Sequence, residues 1–396
     1  MTTQQLIALE DQVLLGTYAR PDFVISHGNG SYLYDLEGKA YLDFVSGIAV
    51  CAFGHTDEPS RYVLARQAEK LWHCSNLYHT EPQVKLAELL VQHTFADKAF
   101  FCNSGTEAIE AAIKFARKWA RYHKGEEYYE IISMERSFHG RTYGALSSTG
   151  QPSLQQGFEP LLPGFRFAEF NNIDSVKQQL TRNTCAILVE PVQGEGGIYP
   201  ADPEFLQALR QLCDNEQLLL ILDEIQCGFG RTGTFCAYEQ YDMTPDMMAS
   251  AKPIAAGLPL GAVLLTDAVA KTIQPGDHGT TFGGGPLAAA VAHDVLSRIA
   301  EPDLLADVRE KSRYFYERLL HVQEESPHVV AVRGKGLMLA IEIDVEPKDL
   351  IAACAENGLL ICKTGGPAVR FLPPLNVTAA QIDECVHKLT LALQLM

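Results

Sequence analysis

Apolar and polar positions along the chain fall into three successive regimes. Around residues 32–44, Tyr32-Leu33-Tyr34-Asp35 and Tyr41-Leu42-Asp43-Phe44 alternate apolar with polar residues on either side of Gly38, the pattern of a β-hairpin. From about residue 59 to 300, helical periodicity alternates with short apolar runs rich in branched residues. Runs at 98–102, 129–133, 185–189, 218–222 and 262–265 predict strands of a mostly parallel sheet buried on both faces. Beyond residue 301 come a long helical pattern, strand candidates at 329–332 and 337–343, and a helix from about 378 to the end.

Strands alternating with helices define an α/β fold. The patterns divide it into a large domain over 51–304, a small α+β domain over 305–396, and an N-terminal segment, 1–50, that packs with the small domain. The length of 396 residues suits two or three domains.

Composition narrows the function classes. Apolar residues make up 47% and charged residues 20%, which excludes disordered, collagenous and coiled-coil classes. The net charge of −17 repels nucleic acid, and no basic patch offsets it. The longest apolar stretch, 255–265, is interrupted by Gly257, Pro259 and Gly261 and falls short of the ~20 residues a membrane span needs. The start, MTTQQLIALE, has neither a secretory nor a transit pattern, so a cytoplasmic protein is expected. Ten cysteines without CxxC spacing predict reduced, mostly buried thiols rather than metal ligands.

Six places carry candidate chemistry. In Asn103-Ser104-Gly105-Thr106-Glu107-Ala108 a strand gives way to a helix, with Ser104 and Glu107 at capping-box spacing. The free amides, Gly105 and the Ser104 and Thr106 hydroxyls would cradle a phosphate, though an ordinary cap has the same letters. Asp223 ends the run 218–222 at the carboxyl edge, where open α/β sheets bind ligands; a backbone-capped Asp is the plainer alternative. Lys252 has small or apolar neighbours that would lower its pKa and make it a nucleophile, unless it is a surface lysine after a strand. Pro253 biases it toward extended backbone. The clusters Phe138-His139-Gly140-Arg141 and Thr280-Thr281-Phe282-Gly283-Gly284 sit in glycine-rich loops suited to ligand contact. Gly228-Phe-Gly230-Arg-Thr-Gly233 matches the dinucleotide fingerprint, but no apolar-periodic helix follows it.

In order, across residues 18–375, these segments resemble the class III, fold type I, pyridoxal-phosphate aminotransferases. The resemblance implies that Lys252 holds pyridoxal 5'-phosphate covalently, Asp223 pairs with its ring nitrogen, Phe138 stacks on the ring and Gln226 lies beside the ring hydroxyl. Ser104, Gly105 and Thr106 would hold the phosphate, with Thr281 from a second subunit, so a homodimer with shared sites is implied. Ser137-Phe-His-Gly-Arg-Thr, Ser147-Ser-Thr-Gly-Gln-Pro and Gly157-Phe-Glu-Pro-Leu-Leu-Pro-Gly look most like the acetylornithine aminotransferases.

That likeness implies transfer of the terminal amine of N2-acetylornithine to 2-oxoglutarate, giving glutamate, as in arginine biosynthesis. It assigns substrate binding to Arg141, Arg370, Tyr18 and Glu195, Glu195 being the gate that neutralises Arg370. Glu190 would support the pocket near Asp223. The chain departs from the family pattern at Arg136, Pro253, Gly285 and Gly54-His-Thr-Asp-Glu-Pro. Three other readings remain: an ω-aminotransferase for ornithine, succinylornithine, 4-aminobutyrate or a lysine precursor; a nucleotide-dependent oxidoreductase built on 228–233; and a non-catalytic binding protein.

Overall fold

The computed structural model describes residues 1–396. Its strands are β1 (Ile25–Asn29), β2 (Tyr32–Asp35), β3 (Ala40–Asp43), β4 (Lys98–Cys102), β5 (Glu130–Met134), β6 (Phe165–Ala168), β7 (Thr184–Val189), β8 (Val192–Gln193), β9 (Tyr199–Pro200), β10 (Leu219–Asp223), β11 (Met247–Ser250), β12 (Gly261–Leu265), β13 (Val329–Lys335), β14 (Met338–Ile343), β15 (Leu359–Leu360), β16 (Cys362–Lys363) and β17 (Ala368–Phe371).

A seven-stranded sheet, ordered β4-β12-β11-β10-β7-β5-β6, forms the centre. Only β12 runs against the others, pairing antiparallel with both β11 and β4. Every residue of β7, β10, β11 and β12 is buried. Their sequences are therefore largely apolar rather than alternating, with polar residues only at the strand ends (Thr184, Asp223 and Ser250). The helix Gly105–His123 covers one face with Ala108, Ala111, Ala112 and Ala116 beside Ile109, Ile113 and Phe115, the alanines letting it lie close to the strands.

Two strands of this sheet escape the sequence reading. β6 lies at the sheet edge and carries Arg166, and β11, Met-Met-Ala-Ser, has no branched or aromatic residue to signal a strand.

The predicted hairpin forms with the register Tyr32↔Leu42, and β1 extends it. β3 then pairs in parallel with β15, Leu42 opposite Leu359, so the first and last parts of the chain share one sheet. Phe44, Phe315 and Phe371 stack edge to face behind it. The remaining antiparallel sheet is β13-β14-β17-β16. Residue 304 lies inside the helix Pro302–Glu325, and the helix expected from 378 spans Ala379–Leu393. No helix is long and apolar enough to cross a membrane, and all ten cysteines are unpaired.

Candidate active site

The parallel strands deliver polar residues to one edge of the sheet. β4 leads to Ser104, β5 to the loop with Phe138, β7 to Glu190, β10 ends in Asp223, and Lys252 follows β11. Carboxyl edges of such sheets are where ligands bind. Here they enclose a cavity of about 410 Å³, within the ~300–1,000 Å³ range of small-molecule sites. Its wall includes Ser104, Gly105, Thr106, Phe138, Arg141, Glu195, Asp223, Gln226 and Lys252, separate in sequence and now together.

At one end lies the start of the helix Gly105–His123. Ser104 Oγ accepts from the Glu107 amide at 3.3 Å. The expected reciprocal bond does not form: Glu107 Oε2 reaches one residue further, to the Asn103 amide at 2.7 Å and side chain at 2.9 Å. The amides of Gly105 and Thr106 have no preceding turn to bond, so this end attracts anions. Thr106 Oγ1 also accepts from the amides of Arg141 and Thr142, both at 3.2 Å, tying the Phe138 loop to the helix. Gly105 has a packing reason too, since a Cβ there would stand 2.9 Å from Ile225.

At the other end, Asp223 is buried and accepts from His139 Nδ1 at 2.7 Å and the Ile225 amide at 3.0 Å. An ionised carboxylate only accepts, so Nδ1 of His139 carries the proton. His139 Nε2 is buried without a partner. The sequence places His139 in a suggestive cluster but attaches no role to it; its bond to Asp223 spans 84 residues and only the fold makes it.

Lys252 stands between these ends. Burial, with help from the charge of Arg370, lowers its pKa to about 8 against the opposing pull of Glu195, Asp223 and Glu190. Its backbone is not extended as Pro253 suggested. β11 stops at Ser250, Lys252 takes φ +23°, and Pro253 opens a tight turn over Lys252–Ala255. The chain must reverse here directly after the sheet, and holding a non-glycine residue in such backbone costs about 1–3 kcal/mol.

Glu195 sits in the loop between β8 and β9, and its Oε1 is 2.6 Å from Arg370 Nη1. Arg370, on β17, lies behind the cavity wall, 2% exposed, and also donates to Gly194 O at 3.1 Å and Gln226 Oε1 at 3.2 Å. Burial pushes the Glu195 carboxyl up, but the charge and hydrogen bond of Arg370 outweigh it and leave it lowered. Glu190, bonded by the amides of Phe138 and Gly194, is pushed well up by burial and the neighbouring Asp223.

Two expected site residues are not brought here within one chain. Tyr18 is 75% exposed, and Thr281 lies on the surface; neither lines the cavity. The fingerprint-like loop 228–233 forms no nucleotide cradle. Fully buried Arg231 donates from it to the carbonyls of Leu337 and Pro373, and a short 3-10 turn at Ala237–Gln240 stands where a binding helix would be needed.

An anion-binding helix start, an aromatic wall, a buried lysine with a lowered pKa and a buried carboxylate with accepting capacity to spare together suit an aromatic aldehyde phosphate such as pyridoxal phosphate. Comparison with known proteins agrees. The family described as Aminotransferase class-III matches residues 17–393. The acetylornithine aminotransferase of Clostridium acetobutylicum is 45% identical over 94% of this chain and 97% of its own length. The succinylornithine transaminase of Photorhabdus laumondii is 44% identical over 97% and 96%. The crystal structure of N-acetylornithine aminotransferase from Stenotrophomonas maltophilia superposes with a TM-score of 0.85 at 36% identity, covering 98% of both chains. The chain thus belongs to the class-III aminotransferase family.

Proposed function

We propose that this enzyme moves the terminal amine of N2-acetylornithine to 2-oxoglutarate, giving N-acetylglutamate 5-semialdehyde and glutamate. The observation that carries this reading is the Arg370–Glu195 pair beside Lys252. It gives one pocket a cation that can be shown to a dicarboxylate and masked from a substrate bearing an amine. Relatives named for acetylornithine support the choice of amine.

Class-III aminotransferases depend on pyridoxal phosphate, and the cavity residues suit it. The amides of Gly105 and Thr106 and the Ser104 and Thr106 hydroxyls would hold the phosphate, Phe138 would face the ring, Gln226 would stand near its hydroxyl, and Lys252 would carry it. When bound, the cofactor supplies an electron sink for the carbon that loses its proton. Asp223, oriented by His139 and the Ile225 amide, would hold a proton on the ring nitrogen. Lys252 Nζ, its pKa brought down to about 8, would be the base that takes the proton from the substrate's reacting carbon. Arg141 would bind the α-carboxylate of the amine substrate. Arg370 binds a carboxylate of glutamate or 2-oxoglutarate once Glu195 swings aside. One pocket serving both substrates in turn predicts ping-pong kinetics.

A homodimer completes the proposal. Segments 72–78 and 280–283 lie against each other through His73 and Phe282, at 5.1 Å between rings, and through Asn76. Trp72, Leu77, Tyr78 and Phe282 stand exposed around them. A second copy covering this patch would carry Thr281 toward the partner's phosphate end. Residues 51–304 would hold the cofactor, and 305–396 with 1–50 would bring Arg370 to it. Ten unpaired cysteines fit the cytoplasm.

A panel of acetylornithine, succinylornithine, ornithine, 4-aminobutyrate and lysine derivatives, followed by loss of the lysine-bound cofactor's absorbance, tests the substrate. Acetylornithine should have the highest kcat/KM, and preference for another amine replaces this reading with that amine's. Borohydride trapping should label Lys252, and a label elsewhere removes the mechanism.

A further inference from the structure

The strand register that positions Arg370 also chooses its neighbour. β16 and β17 pair antiparallel with Cys362 directly opposite Arg370. Directly opposed residues put their side chains on the same face of the sheet. Arg370 Nε lies 3.2 Å from Cys362 Sγ. The guanidinium therefore meets four acceptors: the Cys362 thiol, Gly194 O, Gln226 Oε1 and the Glu195 carboxylate. Only Glu195 among them is an anion under working conditions. Burial pushes the Cys362 thiol up, against the opposing pull of Arg370, so it stays protonated at neutral pH.

These contacts divide the task of holding a buried cation. Arg370 is 2% exposed, and a buried guanidinium needs acceptors to stay oriented. If all of its acceptors were neutral, no pair would mask its charge. If a second carboxylate were fixed beside it, the charge would be masked permanently, and an incoming dicarboxylate would meet a neutral pair. A thiol at 362 satisfies Nε and sets the tilt of the guanidinium without neutralising it, leaving Glu195 as the only removable mask.

We propose that Cys362 is a specificity-determining positioning residue: its neutral sulfur anchors Arg370 so that the cation becomes available to a dicarboxylate whenever Glu195 withdraws. The inference rests on the reading of Arg370 as the dicarboxylate-binding residue. It assigns a role to a position that the sequence marks only as one of ten scattered cysteines.

The test is calorimetric binding of glutarate, a dicarboxylate without a reactive amine or keto group, to the cofactor-loaded enzyme. Separate single-turnover rates for the amine and the glutamate half-reactions accompany it. Cys362→Asp should weaken glutarate at least 30-fold and shift the ratio of the two half-reactions at least 30-fold against glutamate. Cys362→Ala removes the acceptor without adding charge and covers the case in which the aspartate variant does not fold; it should weaken glutarate about tenfold. Cys362→Ser, which keeps a neutral acceptor, should recover most of that loss.

Equal glutarate binding by the wild-type, Asp and Ala forms overturns the inference, as does an equal loss of both half-reactions. Wild-type enzyme that does not bind glutarate overturns it as well. Its failure is separable from failure of the proposed substrate. An enzyme that binds glutarate in a Cys362-dependent way but does not transaminate acetylornithine loses the substrate reading and keeps this one, and the converse result does the opposite.

Discussion

Replacing Glu195 with glutamine removes the one carboxylate bonded to Arg370 while keeping size and hydrogen-bonding capacity. At 2.6 Å and an effective dielectric of ~20, the pair attracts by about 6 kcal/mol before desolvation is subtracted. Measured couplings of close charge pairs run from about 1.5 to 7 kcal/mol. Glu195 retains 28% exposure, so solvent screening places it near the lower end, about 1.5–3 kcal/mol. On the proposed reading, a dicarboxylate must displace Glu195 from Arg370 in the native enzyme, and the amine substrate need not. In Glu195→Gln that competition is gone, and the amine substrate faces an unmasked cation instead. The ratio of kcat/KM values should therefore move toward glutamate by about 10- to 100-fold, since each ~1.4 kcal/mol is a factor of ten. Stopped-flow measurement of the two half-reactions, each with a single substrate, reads that ratio directly. A ratio within threefold of wild type, or one that moves toward the amine, refutes the masking argument whatever happens to overall turnover.

Other consequences can be checked on the same preparation. Asp223→Asn keeps the shape but loses the charge proposed to hold a proton on the ring nitrogen; turnover should fall at least 100-fold while cofactor is still captured, and unchanged turnover would remove Asp223 from the mechanism. Because burial brings Lys252 down to about 8, the neutral fraction of its amine rises from about 0.1 at pH 7 to about 0.9 at pH 9, so capture of pyridoxal phosphate by the cofactor-free protein should speed up roughly tenfold over that span. A flat capture profile would show that the amine titrates elsewhere. Gly140→Ala adds a Cβ that collides with the Thr106 hydroxyl at a φ of +130°. It should lower stability by about 1–3 kcal/mol in denaturant titration and weaken cofactor retention, and wild-type values for both would contradict the Thr106 contact.

The parts of this architecture that announce themselves in one dimension are those whose physics is local. The runs behind β7, β10 and β12 are apolar at every position because both of their faces are covered, and that is visible without a structure. β11 is equally buried yet built from Met, Ala and Ser, and β15, β16 and β17 are too short to show periodicity. The helix start at Ser104 and the carboxylate ending β10 were visible for the same reason: caps and strand ends have compositional signatures. Bonds between distant segments were not. His139 with Asp223, Cys362 with Arg370, and Arg231 with Leu337 and Pro373 exist only because separate strands and loops converge. Even the turn at Lys252 resisted a local rule, because the need to reverse direction after β11 overrode the preference that Pro253 imposes.

The strand that joins the first and last parts of the chain also sets an order of events during synthesis. Leu42 cannot find Leu359 until nearly the whole polypeptide has been made. At ~5–20 residues per second, the interval between the two is about 15–60 s. Through that time the early hairpin must remain without its partner strand, while the ladder β4 to β12 has every segment it requires well before residue 359 emerges. Arg370, the residue proposed to tell one substrate from the other, is translated only after every strand of that ladder, so the proposed discriminating cation joins a sheet whose segments are already made.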